Sequence, residues 1–260
     1  MRASVIITMY NSEGTIGKII DQLLKVINKD DEIVIVDDKS NDNSAKIVGD
    51  YQDTRINLIL SEHIGRAKAL NKAVNASKGK YIFINDADDI TSEVRFNLSI
   101  ELLNNGNDAV FGNALLIDNI GIKKIEELNT SMSKMNANNS KKVILLKKDS
   151  FFLTNNLHHS SLALKRETLL NIGCYDESLE VCIDLDLYYR LVQKKLKLAI
   201  CNKIFIARNM GNSRVFSRYP KKKYLSNLIL LRKKYRDTIK PSIYTFVYDI
   251  KFRLMYLLSK

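Results

Sequence analysis

Alternating strand-like and helix-like segments fill the first half of the chain, and they limit the folds open to it. Four apolar runs have the composition of strands covered on both faces: "SVIITMY" (4–10), "EIVIVDD" (32–38), "INLILSE" (56–62) and "YIFIN" (81–85). Between them, apolar spacings of three and four residues indicate helices over 16–27, 43–51 and 65–76. The repeated unit predicts an α/β protein with a mostly parallel central sheet and helices on both faces.

The second half of the chain is less regular. We predict strands within 108–118, 160–166 and 197–208, and a helix over 183–195. The stretch 128–142 is rich in Asn, Ser and Lys, and this composition predicts a mobile loop.

Polar residues stand where the predicted strands end, which is where parallel α/β sheets bind ligands. They are Thr8, Tyr10 and Asn11 after the first strand, Asp37 and Asp38 after the second, and Asp86, Asp88 and Asp89 after the fourth. The last three carboxylates repel one another unless a cation binds them. The sequence therefore indicates either a site for a metal or cationic ligand, or a solvated acidic turn.

Positive charge is concentrated at the C-terminal end. The chain carries +12, and residues 214–260 hold 13 Lys and Arg against two acids, a local net charge of +11. Apolar residues recur at helical spacing in this tail: Leu225, Leu228, Ile229 and Leu231, then Ile243, Phe246, Val247, Ile250, Leu254, Leu257 and Leu258. We expect a basic helical extension that docks on an anionic membrane surface, with packing on the body or on a second subunit as the alternative. A nucleic-acid partner is not favoured, because the body carries only about +1.

The remaining composition fits a reducing compartment. The three cysteines, Cys174, Cys182 and Cys201, are odd in number and lack CxxC spacing. The N-terminus does not read as a signal peptide, and no apolar stretch approaches the roughly 18 residues that a membrane span needs. We expect a cytoplasmic protein, peripheral on the inner face of the cytoplasmic membrane if the tail docks there.

Five blocks of sequence, in this order, resemble the family 2 glycosyltransferases, the inverting group with the GT-A fold. They are "SVIITMYN", "IVDDKSNDNS", "GRAKALNKAVNASKGKYIFINDADD", "SLALKRETLLNIGCYDESLEVCIDLDLYYRL" and "ARNMGNS", and they cover roughly 3–214. The resemblance implies transfer of one sugar from a nucleotide diphosphate sugar, often UDP-linked, to a hydroxyl of a saccharide or lipid-linked glycan, with Mn²⁺ or Mg²⁺ as cofactor. It also implies a nucleotide-sugar-binding half (1–115), an acceptor-binding half (116–213) and the extension (214–260).

The same resemblance implies roles for individual residues. Tyr10 packs against the donor base and Asp38 hydrogen-bonds it, while Thr8, Asn11, Glu13, Arg66 and Asp86 line the rest of the donor pocket. Asp88 holds the metal, which neutralises the leaving diphosphate. Asp184, at the start of its predicted helix, is the general base that takes the proton from the attacking hydroxyl.

Three positions depart from the family pattern. Thr8 replaces a common proline, Ile183 replaces the usual Glu before the base, and Met210 stands where many members have a His that helps the metal or phosphates. Methionine is a poor ligand for a hard cation, so we expect a weaker metal site. Two of these losses, at Ile183 and Met210, also fit an alternative function, that of a sugar-nucleotide-binding partner subunit with little activity of its own.

Several other polar residues have structural as well as functional interpretations. We expect solvation or helix capping for Asp37, Asp42 and Asp89, and either capping or an ion pair with Arg190 for Asp186. At most one of the adjacent His158 and His159 should face the site, because neighbouring residues of an extended segment point to opposite sides. Arg208 and Arg214 either clamp a diphosphate or carry surface charge.

Overall fold

The apolar runs of the sequence become neighbouring strands of one mixed sheet. The computed structural model describes residues 2–117, 125–146, 157–210, 220–237 and 243–259. The strands are β1 (Ala3–Met9), β2 (Glu32–Asp37), β3 (Ile56–Leu60), β4 (Tyr81–Ile84), β5 (Ile90–Thr91), β6 (Ala109–Ile117), β7 (Val143–Leu145), β8 (Ala163–Lys165) and β9 (Leu198–Asn209). They form a sheet of order β3-β2-β1-β4-β8-β6-β9-β5, with β7 paired to β9.

Helices cover both faces of this sheet. They are α1 (Ile16–Val26), α2 (Ser44–Gly49), α3 (Arg66–Ala76), α4 (Val94–Asn104), α5 (Ile125–Asn138), α6 (Arg166–Asn171), α7 (Ile183–Gln193), α8 (Lys221–Lys234) and α9 (Ile243–Leu258). The α/β prediction is confirmed, and the predicted helices of the first half appear as α1, α2 and α3.

The first four strands are parallel to one another, as the sequence predicts. Alternate residues of each strand enter two different cores, with Ile6 and Val34 on one face and Ile7 and Ile35 on the other. Burial on both faces explains why these runs are continuously apolar. Each fully buried aliphatic side chain of this kind contributes roughly 1.5–3 kcal/mol.

The second half of the sheet contains both parallel and antiparallel pairs of strands. Strand β8 runs antiparallel between β4 and β6, whereas β6 and β9 are parallel.

The prediction of a mobile loop over 128–142 is wrong, because helix α5 occupies most of this stretch. Leu128, Met132 and Asn136 recur every four residues on the buried face of α5. Asn136 also exchanges two hydrogen bonds with the backbone of Ile204, at 2.9 and 2.7 Å, which fixes α5 on the sheet.

The described parts of the C-terminal extension are helical, as predicted, and the helix α8 belongs to the core. Leu228, Leu231 and Tyr235 belong to the buried cluster that contains α7, and Leu225 is buried as well, so α8 packs on the body of the protein. Helix α9 lies on α8. No helix in the described parts of the chain has the length and apolar character to cross a bilayer. The three-part division of the chain stays a prediction, and its boundary at 213–214 lies outside the described residues, as does Arg214.

Candidate active site

The polar residues predicted at the strand ends lie along one edge of the sheet. Met9 pairs with Asp37 at the ends of β1 and β2, while Ile84 ends β4 beside Ile6. The residues that follow each end, and half-buried Thr8 near the end of β1, therefore meet at one rim. This is the position at which open parallel sheets bind ligands.

Asp38 holds the loop that leads into α3. Its two carboxylate oxygens accept hydrogen bonds from the backbone N–H of Ile64 at 2.6 Å and of Gly65 at 3.0 Å. Gly65 has φ +87°, a conformation that glycine adopts without strain. This structural task of Asp38 was not predicted. A carboxylate has about four acceptor positions, so two backbone bonds leave capacity for a ligand.

An aromatic pair stands beside Asp38. The rings of Tyr10 and His63 are tilted by 49° with centroids 4.9 Å apart, and His63 Nδ1 lies 3.0 Å from the carbonyl oxygen of Asp38. Sequence reasoning selected Tyr10 but missed His63, because nothing local to "SEHIG" links His63 to the end of β1. Together the two rings form a surface on which a planar base can pack.

Asn11 and Glu13 join the loops that follow β1 and β2. Asn11, at φ 53°, accepts a 2.8 Å hydrogen bond from the backbone N–H of Asn41 through Oδ1. Glu13 Oε2 accepts bonds from the backbone and side-chain nitrogens of Asn43, both at 3.0 Å. Asp42 accepts bonds from Ser44 at the start of α2, as its capping interpretation predicts. The predicted roles of Asn11 and Glu13 toward a donor stay predictions.

Arg66 and Asp86 form an ion pair across the cleft. Arg66 Nη2 donates to Asp86 Oδ1 at 2.5 Å, and both side chains are about a quarter exposed, at 27% and 24%. Burial alone would raise the pKa of Asp86, but the charges of Arg66, His159 and Arg208, with the hydrogen bond from Arg66, together hold the pKa below its usual value. Asp86 therefore carries a negative charge, which the positive charge of Arg66 balances. Asp88 belongs to the same turn and is also half-buried.

Asp89 is buried, so the expectation of solvation or helix capping is wrong for it. Its Oδ2 accepts a 2.5 Å hydrogen bond from Ser160 Oγ, and its Oδ1 accepts a 3.0 Å bond from the backbone N–H of Asn209. Burial, followed by the charges of Asp86 and Asp88, raises the pKa of Asp89 to about 8. Asp89 thereby ties the acidic turn to β9 and to the segment before β8. Asp37 is buried as well, and it accepts two bonds from Ser40.

A fully buried arginine lies behind the acidic turn. Arg95 donates through Nη1 to Asn85 Oδ1 at 2.9 Å and through Nη2 to the Ile84 carbonyl oxygen at 2.6 Å. Burial lowers the pKa of Arg95, and the nearby Asp89 and Asp86 oppose this shift. Arg95 thus supplies positive charge to Asp89 and Asp86 from inside the protein, a contribution that the sequence pattern did not reveal.

Asp184 lies in the first turn of α7 and is half-buried. Its carboxylate acts electrostatically on Arg66, His159 and Tyr175. His159 Nε2 lies 2.9 Å from the hydroxyl of Tyr175. Burial and the charge of Arg66 lower the pKa of His159 to about 4, against the opposing effect of Asp184 and Asp86. The structure therefore brings Asp184 to the same cleft as the Arg66–Asp86 pair.

The neighbours of these residues answer several questions that the sequence left open. His158 Nδ1 lies 3.3 Å from Nη1 of Arg208, so the two adjacent histidines have different partners. Asp186 pairs with Arg190 at 2.7 Å, as predicted. Ile183, where the family pattern has Glu, is buried in the core.

Asp88 is the side chain that best fits a divalent cation. The described residues contain no group of three or more His, Cys, Asp or Glu side chains arranged to hold a metal ion. Hard cations that bind nucleotides typically use one or two protein carboxylates and take phosphate oxygens for the rest. A half-buried Asp88 beside an Asp86 that Arg66 neutralises fits this mode, and does not fit a cage made of protein ligands alone.

Comparison with known sequences adds independent information. The profile described as glycosyl transferase family 2 matches residues 4–162. An uncharacterised glycosyltransferase of Methanocaldococcus jannaschii is 30% identical over 231 residues, which are 86% of this chain and 76% of that protein. The UDP-Glc:alpha-D-GlcNAc-diphosphoundecaprenol beta-1,3-glucosyltransferase WfgD of Escherichia coli is 34% identical over 121 residues, 46% of this chain and 48% of that protein. The chain thus spans three-quarters of the archaeal relative and about half of the bacterial one.

Solved structures show the same architecture. Residues 1–349 of Staphylococcus aureus TarS in complex with UDP-GlcNAc superpose with a TM-score of 0.71 at 16% identity, covering 99% of this chain and 72% of that one. At this low identity the likeness concerns the fold alone, and it confirms the predicted GT-A fold.

Proposed function

We propose that this chain, which belongs to glycosyl transferase family 2, moves one sugar from a nucleotide diphosphate sugar to a hydroxyl of a glycan acceptor with inversion at the anomeric carbon. The observation that carries the proposal is the cleft in which Arg66 forms an ion pair with Asp86 and also interacts electrostatically with Asp184. One edge of the sheet thus combines a donor-side pair with a carboxylate suited to proton transfer.

The proposed donor is a UDP-sugar. The Tyr10–His63 ring pair supports a flat base at the end of β1, and Asp38 beside it has acceptor capacity for a base N–H. The names of two similar proteins point the same way, because the Escherichia coli relative uses UDP-Glc and the Staphylococcus aureus structure contains UDP-GlcNAc.

In the proposed reaction Asp184 takes the proton of the acceptor hydroxyl. The acceptor oxygen forms a bond to the anomeric carbon while the bond from that carbon to the diphosphate oxygen breaks. The N-terminal turn of α7 favours a negative charge on Asp184, and a carboxylate in this form can accept the proton of a hydroxyl that lies within hydrogen-bond reach. A Mg²⁺ or Mn²⁺ ion held by Asp88 would neutralise charge on the leaving diphosphate.

The proposed acceptor is a lipid-linked saccharide of surface polysaccharide synthesis, by analogy with the diphosphoundecaprenol acceptor in the name of the Escherichia coli relative. A lipid-linked acceptor is held at a membrane, and the exposed side chains of α9 support docking of the protein there. Six large apolar side chains of α9 are between 44% and 82% exposed: Phe246, Val247, Ile250, Leu254, Leu257 and Leu258. We propose that this set, called the α9 face, docks on an anionic membrane.

Charge around the α9 face supports a lipid partner. Lys251 and Arg253 are exposed on α9, and Lys222 of α8 lies over the ring of Tyr256 at 5.6 Å. Asp249 is the acid of α9, and it is turned toward Arg232 of α8, which donates to it at 2.5 Å. An apolar stripe flanked by basic residues is typical of helices that lie in the membrane interface.

A panel of sugar nucleotides tests the proposed activity. The purified chain, supplied with Mn²⁺ or Mg²⁺ and a lipid-linked saccharide, should release nucleotide diphosphate from one UDP-sugar much faster than from the others. Addition of a chelator should stop the release. Tight nucleotide binding without turnover for every donor and acceptor pair would instead favour the partner-subunit alternative.

A further inference from the structure

The helix that carries Asp184 holds a second carboxylate, which is buried. Asp186 lies two residues further along α7 and is 0% exposed. It accepts hydrogen bonds from Arg190 Nε at 2.7 Å, Tyr235 Oη at 2.7 Å and Lys234 Nζ at 3.2 Å. A buried carboxylate is tolerated only with such partners, so this network is fixed as a unit.

Two of the three donors come from the C-terminal end of α8. The ring of Tyr235 also packs on Tyr189 of α7, with centroids 5.1 Å apart. Helix α8 is in turn tied to α9 through Arg232 and Asp249. The first turns of α7 are therefore attached directly to the C-terminal helix pair, and through it to the α9 face.

We propose that Asp186 and Tyr235 are positioning residues that set the direction in which Asp184 points. Asp184 and Asp186 belong to the same turn, so a rotation of that turn about the axis of α7 moves both. By this inference the C-terminal helices contribute to turnover as well as to docking. The inference rests on the proposed function, in which Asp184 is the base.

Tyr235→Phe is the sharpest test, because it removes one hydroxyl and leaves the ring on Tyr189. We expect kcat to fall about tenfold, less than the roughly hundredfold that a 1 Å misplacement can cost, with the KM for the donor unchanged. The matched control is Tyr51→Phe, which also removes a 2.7 Å bond from a tyrosine hydroxyl to a carboxylate, that of Asp21, away from α7. The control should keep the kcat of the unmodified protein, and an equal fall in both variants would overturn the proposal.

A double-mutant cycle separates this proposal from the proposed function. If Tyr235 acts through Asp184, adding Tyr235→Phe to Asp184→Asn should not change the residual rate further. A further tenfold loss in that background would overturn the positioning role. If Asp184→Asn alone keeps full kcat, the assignment of the base fails, and that result is visible before Tyr235 is changed.

Lys234→Met covers the case in which Tyr235→Phe does not fold. The Lys234 side chain is 52% exposed, so its replacement is expected to leave the fold intact. A fall of kcat by a few fold with unchanged donor KM would support the proposal, and an unchanged kcat would overturn it.

Discussion

Arg66, the first residue of α3, donates a 2.5 Å hydrogen bond to the carboxylate of Asp86, which follows the end of β4. This pair, together with buried Arg95, shows how three aspartates can lie within four residues. Arg66 neutralises Asp86 from the cleft, and Arg95 supplies positive charge from behind. Asp88 is the member of the group best suited to a cation that arrives with the donor.

The first prediction concerns Asp88. Asp88→Asn keeps the size of the side chain but removes the charge that would hold a cation, so transfer should fall by about two orders of magnitude or more. Initial rates over a Mn²⁺ titration measure this. Asp53→Asn is a suitable control, since Asp53 pairs with Arg55 just before the start of β3, at the opposite end of that strand from the site. Unchanged turnover of Asp88→Asn, or full activity in a chelator, would contradict the metal assignment.

The second prediction separates the two aspartates of α7. Asp184→Asn should reduce the kcat of transfer to a small residual rate while nucleotide-sugar affinity stays nearly unchanged, because a base acts only in the chemical step. Asp186→Asn should act mainly on stability and be milder in kcat, since breaking a buried ion pair costs about 3–5 kcal/mol. Calorimetric binding, rates and urea unfolding of both variants give the comparison. If Asp186→Asn lowers kcat more than Asp184→Asn does, Asp186 is the base instead.

The third prediction concerns the ring pair. Tyr10→Ala should weaken UDP binding about tenfold, since stacking on an aromatic side chain contributes roughly 1–3 kcal/mol per base. Tyr10→Phe keeps the ring and should bind UDP like the unmodified protein. Titration calorimetry with UDP measures both. Equal UDP affinity of the unmodified protein, Tyr10→Ala and Tyr10→Phe would show that the base does not pack on this surface.

The strand–helix alternation of the first half was predictable because periodicity is local, and so was the pair of Asp186 with Arg190 four residues later. Other features depend on distant partners. Asp89 is hydrogen-bonded to Ser160 and Asn209, which are 71 and 120 residues away in sequence. The residues next to Asp89 do not reveal these partners, so they predicted a solvated or capping acid. Helix α5 was missed for a related reason, because its buried face has one residue per turn and the rest is polar.

The C-terminal tail shows where a correct pattern left two outcomes open. Both helices have an apolar stripe, yet only that of α8 is covered by the body of the protein. Periodicity identifies an apolar face but not what covers it. The structure makes this distinction through Leu228 and Leu231, which belong to the buried cluster of the body.

The fourth prediction tests the α9 face. Leu254→Glu should reduce co-sedimentation with vesicles of phosphatidylglycerol and phosphatidylcholine by about tenfold or more, since burying a leucine contributes roughly 1.5–3 kcal/mol. Leu60→Glu, at a leucine of β3 that is 64% exposed, is the matched control and should bind like the unmodified protein. Truncation before α8 is unsuitable because it would open the core. Binding that ignores anionic lipid at low salt, or a self-association that Leu254→Glu abolishes, would assign the face to a partner protein instead.

The fifth prediction is a pH dependence of stability that originates at His159. Its pKa in the folded protein is about 4, below the ordinary value of 6.5, and burial is the main cause. Between these two values the unfolded chain binds a proton that the folded protein does not, so the free energy of unfolding should decrease as the pH falls from 6.5 toward 4. The full shift corresponds to at most about 3 kcal/mol. In His159→Gln this contribution is absent, so the variant should gain roughly 1–3 kcal/mol relative to the unmodified protein between pH 7 and pH 4.5. Urea unfolding of both proteins across this range, without donor and with chelator, measures the difference, and a difference that stays constant with pH would show that His159 is not the group responsible.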